Sequence, residues 1–144
     1  MGKTLKVVFD TNVWISIFMK KALSEELSHV KQELTIYISR DIILEISKVL
    51  LYPKIAEILR KVCIQEKEIL QAIEANSMMI EPKTKLHVID EDVEDNKILE
   101  CALAARADII VSGDKHLLVL GKFGKTSIFT PRAFFDYLAD PKAS

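Results

Sequence analysis

Four acidic residues stand where carboxylates can do chemistry. Asp10 follows the apolar run Leu5–Val7–Val8–Phe9 and leads at once into Thr11 and Asn12. That run is too short for a typical helix and β-branched in its middle, which reads as a buried parallel strand. In open α/β sheets, ligands bind outside the carboxyl ends of such strands. A carboxylate there is a metal ligand, a nucleophile or a turn residue without chemistry. Asp114 follows Ile109–Ile110–Val111 through Ser112 and Gly113, so it too lies past a strand's carboxyl end. Gly113 permits a tight turn, and taken alone Asp114 reads as the cap of the next helix.

The other two acids sit on helical patterns. On a wheel of 3.6 residues per turn, Ile42, Ile43, Ile46, Val49 and Leu50 define a buried arc, and Glu45 falls on its border beside Val49. By itself that is a boundary residue snorkelling to water. Asp95 shares its face with Ile98, Leu99 and Ala102, placing a carboxylate over the centre of an apolar stripe. Burying an unpaired carboxylate costs several kcal/mol or neutralises it, so something must compensate. A helix N-terminus does so in part, with Asp92 as cap and Asp95 in the first turn. Asp90 and Asp108 read as solvated turn residues.

The joint pattern outweighs the single readings. Asp10, Asp114 and Asp95 are expected at one edge of a parallel sheet, with Glu45 on a helix that follows the adjacent strand. Converging like charges need a cation. Hard oxygen donors without clustered His or Cys select Mg²⁺ or Mn²⁺ over zinc. Such an ion offers an activated water as nucleophile and stabilises charge on a phosphate in flight.

The elements that must position these acids alternate along the chain. Strands are predicted at Leu5–Phe9, Thr35–Ile38, Met78–Ile80, Ile109–Val111 and Ser127–Phe129. Helices are predicted at Val13–Met19, Ala22–Gln32, Arg40–Leu51, Ile55–Val62, Glu66–Asn76, Glu94–Arg106, around Lys115–Leu120, and from Pro131 to Leu138; Pro82 to Glu91 reads as a loop. Pro131 suits a first helical turn. Strands separated by helices imply βαβ units, hence an α/β fold with a mainly parallel sheet.

A chain of 144 residues is the size of one domain. With 49% hydrophobic and 28% charged residues it is expected to fold throughout residues 1–140, leaving 141–144 as a tail. A net charge of −1 carries no basic excess, so any case for nucleic acid rests on local arrangement. Cys63 and Cys101 form no C-x-x-C pair and fall in apolar stretches, which predicts two buried thiols. Neither a secretory leader nor a membrane-length apolar run is evident, so the cytoplasm is the expected location.

Four segments in order carry a resemblance: F-D-T-N at 9–12, S-R-D-I-I-L-E at 39–45, D-V-E-D-N-K-I-L-E-C-A at 92–102 and I-I-V-S-G-D at 109–114. Together they resemble the PIN-domain superfamily, in particular the prokaryotic toxin-like PIN ribonucleases, over essentially the whole chain. The resemblance implies a three-layer α/β/α fold with a central parallel sheet, and an acidic pocket that binds Mg²⁺ or Mn²⁺ to cleave single-stranded RNA. The family's four acids fall on Asp10, Glu45, Asp95 and Asp114. Asn12 and Ser112 match polar positions that support the acids or their waters, and Asp92 is an additional aspartate ranked below the four. A protein antitoxin and a homodimer are the partners it implies.

An acidic pocket repels RNA unless basic residues receive the flanking phosphates. Lys20, Lys21, Arg40, Lys115, His116, Lys122, Lys125 and Arg132 are the candidates, with Arg40 and Lys115 preferred because each adjoins a segment bearing a proposed ligand. Core packing is the expected role of Trp14, Phe18, Phe134, Phe135 and Tyr137, although Trp14 and Phe18 have the spacing of a base-stacking pair. Three rivals remain: a phosphotransferase with a strand-end aspartate nucleophile, disfavoured because Asn12 stands where its general acid belongs; a catalytically silent RNA- or protein-binding module; and a DNA nuclease, for which the chain lacks clamping helices.

Overall fold

The computed structural model describes residues 3–89 and 93–140; Asp90, Asp92 and the 141–144 tail lie outside the described residues. The chain opens with β1 (Leu5–Phe9), α1 (Thr11–Met19) and α2 (Lys21–Val30), and a single 3-10 turn at Lys31–Glu33 leads to β2 (Leu34–Ile38). Next come α3 (Arg40–Leu50), α4 (Pro53–Lys61), α5 (Glu66–Ala75) and the two-residue β3 (Met78–Met79). The second half contains α6 (Val93–Ala105), β4 (Ile109–Val111), α7 (Lys115–Leu120), β5 (Lys122–Phe123), β6 (Thr126–Phe129) and α8 (Pro131–Ala139).

The strands form one sheet in the order β3-β2-β1-β4-β6-β5. All neighbours run parallel except β5 and β6. The α/β fold with a mainly parallel central sheet is therefore as expected, in the three-layer arrangement of helices packed about a sheet. The antiparallel β5 is an addition: two residues carry no periodicity, and Gly124 at φ 60° turns the chain directly back into β6. A positive φ of this kind costs glycine little.

Register decides what meets at the carboxyl edge. Phe9 is opposite Val111, so the residues that follow them, Asp10 and Ser112, become neighbours. The Asp10 amide donates to the Val111 carbonyl at 3.1 Å, which extends the ladder by one step into the turn.

The central strands are apolar on both faces, as sheets covered by helices must be. Val7, Val8, Ile110 and Leu99 are fully buried, and Phe9 packs edge-on against Trp14 at 5.2 Å and Phe134 at 6.1 Å. Each such side chain contributes about 1.5–3 kcal/mol relative to exposure. Trp14, Phe134 and Phe135 thus belong to the core, while Phe18 and Tyr137 are half-buried against it. One expectation about the thiols is corrected: Cys101 is buried, but Cys63 is exposed. Cys63 has φ 58°, the left-handed turn that ends α4, so it leaves the apolar face that its helical neighbours share. No helix among the described residues is long and apolar enough to cross a membrane.

Candidate active site: an acid-lined cleft

Asp10 is buried at the junction of β1 and α1. One carboxylate oxygen accepts from the Val13 amide at 2.8 Å, capping α1, and the other accepts from the Ser112 hydroxyl. Ser112, wholly buried, in turn accepts from the Asp114 amide at 2.9 Å. Asp114 caps α7 by accepting from the His116 amide at 2.8 Å. Capping and convergence are therefore not alternatives. The caps hold both carboxylates at the carboxyl edge, where the positive ends of the helices favour them.

Glu45 and Asp95 arrive from paired helices. Ser39 caps α3 by accepting from the Ile42 amide at 3.3 Å, and buried Ile42, Ile46 and Leu50 lock its inner face. That sets Glu45 half-buried at the border. Asp95 is buried in the first turn of α6, beside Ile98 and Leu99. Asn96 fastens the preceding loop to this helix: its amide donates to the Ile89 carbonyl at 2.6 Å, and its carbonyl accepts from the Ile89 amide at 2.8 Å.

All four expected acids line one cleft of about 470 Å³, together with Thr11, Asn12, Glu94 and a wall of Val49, Tyr52, Lys54, Ile55 and Ile98. Burial raises the Asp10 carboxyl above its ordinary pKa, with the Asp114 charge adding to the rise, against the lowering hydrogen bonds of Ser112 and Val13. Burial also raises Glu45, helped by a hydrogen bond with Glu94 and its charge, against Lys48 and Lys97. Lys97 places its ammonium 3.2 Å from Glu94. Partial burial works against that ammonium, but Glu94, Asp41 and Glu45 hold its pKa above the usual value.

The two preferred basic candidates are not among the residues that line the cleft. Arg40 lines a separate cavity with Met79, Glu81 and Lys83, and Lys115 is exposed beside Asp114 but not among the cleft-lining residues. Asp92 lies outside the described residues. Sequence reasoning passed over Glu94, Tyr52 and Lys54. Two signals were present: Glu94 adjoins Asp95 in the same acidic string, and Tyr52 continues the Glu45–Val49 helical face by one turn.

The donor set fits a hard divalent cation, being carboxylate oxygen throughout. Among the described residues no three His, Cys, Asp or Glu side chains close around a single point. An ion here would therefore be held by few carboxylates and retain waters, as magnesium does.

A parallel sheet flanked by helices, with acids gathered past β1 and β4 and on α3 and α6, defines an α/β/α sandwich with an anionic cleft. The family model described as PIN domain matches residues 6–116, from β1 into α7, and the chain belongs to the PIN-domain family. Among solved structures it is similar to the crystal structure of VapBC2 from Rickettsia felis bound to a DNA fragment from their promoter, at 14% identity and a TM-score of 0.58. The match covers 86% of this chain and 97% of that one. At that identity the likeness concerns the fold. None of the curated proteins matches the chain.

Proposed function

We propose that this PIN domain is a divalent-metal-dependent endoribonuclease that hydrolyses single-stranded RNA, and that it is the toxin of a toxin–antitoxin pair. The convergence of Asp10, Glu45, Asp95 and Asp114 on one cleft carries the reading. Family membership supports nuclease chemistry, since PIN domains are generally nucleases that use divalent ions, and the VapBC2 likeness supports a toxin-like fold with an antitoxin partner. A homodimer and a cytoplasmic location belong to the same proposal.

When bound, Mg²⁺ or Mn²⁺ supplies Lewis-acid chemistry, acidifying water and offsetting charge on the phosphate. Carboxylates drawn from Asp10, Glu45, Asp95 and Asp114 would hold it, with waters completing its coordination. Ser112 holds the Asp10 carboxylate in place and opposes the rise of its pKa, and Asn12 stands at the cleft wall where it can orient a water or a phosphate oxygen. Hydrolysis leaves a 5′ phosphate and a 3′ hydroxyl, and no side-chain nucleophile is required.

Asp10→Asn and Asp95→Asn test this. Each is expected to lower Mn²⁺-dependent cleavage of single-stranded RNA by roughly a hundredfold or more, the scale of removing a transition-state electrostatic group. Circular dichroism should show the fold intact. Full activity in both variants would refute the reading.

A further inference from the structure

The acid-lined cleft is lined by more than carboxylates. Besides Asp10, Glu45, Glu94, Asp95 and Asp114, its lining includes Ile98, one turn on from Asp95, and Val49, one turn on from Glu45, and it continues from α3 into α4 with Tyr52, Lys54 and Ile55, a wall carrying one aromatic ring and one ammonium. Tyr52 is 46% exposed, so the core does not account for it. Its backbone is nevertheless fixed: the amide donates to the Val49 carbonyl at 3.0 Å, and its carbonyl accepts from the Ala56 amide at 2.8 Å. Pro53 follows as the first residue of α4. The ring is thus carried on a rigid joint between α3 and α4, over the cleft.

We infer that Tyr52 stacks an unpaired nucleobase beside the scissile phosphate while Lys54 receives a neighbouring phosphate, which makes this wall the feature that selects single strands. The inference rests on the proposed nuclease reading and adds to it a substrate-positioning pair. A base's π-face suits an exposed ring whatever the sequence. The ammonium suits phosphate next to a cleft that repels it elsewhere. A base paired and stacked in a duplex cannot present its face, so the wall discriminates by strandedness.

The test uses a short single-stranded RNA with 2-aminopurine at one position, titrated with the full chain in Ca²⁺ buffer to suppress turnover. Wild type is expected to quench the probe on binding. Tyr52→Ala should lose the quench and weaken binding by roughly tenfold, and Tyr52→Phe should restore both. Lys54→Ala should keep the quench at saturation and reduce the slope of log affinity against log salt by about 0.7. Thermal melts of each variant establish that it is folded, and Lys54, exposed on α4, provides an arm independent of Tyr52. Unchanged quench and affinity in Tyr52→Ala, or equal affinity for the matching duplex, would overturn the inference. Wild type that cleaves RNA with Mn²⁺ but never quenches the probe would sink the base wall and spare the nuclease; wild type that neither binds nor cleaves would sink both.

Discussion

Ser112 joins the two strand-end acids through one hydroxyl, donating to the Asp10 carboxylate and accepting from the Asp114 amide. A hydrogen bond to a charged group contributes about 1.5–3 kcal/mol, so Ser112→Ala should lower stability on that scale in chemical denaturation. It should also raise the Asp10 carboxyl further, because the bond that opposes the effect of burial is gone. Asp10 has its own signature in pH. Its folded pKa lies above the ordinary 3.8, so the folded state holds the proton more tightly. Its stabilising contribution is present below 3.8 and lost as pH rises through the raised value. In chelator, the difference in stability between Asp10→Asn and wild type should therefore grow in favour of the variant across that window, as thermal melts at successive pH values would show. The thiols separate as well. Burial pushes Cys101 up to about 12, with a hydrogen bond from Ser39 opposing, whereas Cys63 is exposed. Native protein at neutral pH should accept one equivalent of an alkylating reagent, and unfolded protein two.

At the scale of elements, α3 matters most, since it packs on α1, α4, α5 and α6 and presents Glu45 to the cleft. Ile46, fully buried, pins it. Ile46→Ala should cost about 2–5 kcal/mol, and cleavage should fall by more than the folded fraction explains, because Glu45 is the adjacent residue. Measuring activity against folded fraction through a urea titration checks this. Helix α3 was legible from its apolar arc. The short β5 was not, because two residues at a sheet edge are chosen by pairing with β6 rather than by any pattern of their own.

For the molecule as a whole, the arrangement concentrates like charge that a divalent cation would relieve. Mn²⁺ at a hundred times its dissociation constant should add about 2.7 kcal/mol to stability, read as a rise in melting temperature. Asp10→Asn and Asp95→Asn should lose most of that rise. Light scattering should find the proposed homodimer; a monomer at micromolar concentration would remove it. The net charge of −1 advertises no nucleic-acid partner. A nearly neutral chain can still carry a sharply anionic cleft, which composition averages away.

The sequence by itself determined the alternating strands and helices, the apolar faces and the four acids, because periodicity and strand-end position are local properties written in consecutive residues. Tertiary structure decided what no local window contains. Parallel pairing of β1 with β4 set Asp10 against Ser112 across 102 positions, the docking of α3 on α6 set Glu45 against Glu94 and Lys97, and the α3–α4 joint turned Tyr52 toward the cleft. Those neighbours are chosen by strand order and helix packing, and charge and burial at each acid depend on them. Cys63 shows the same division: its helical surroundings predicted burial, and a left-handed turn at the helix end took it out to solvent.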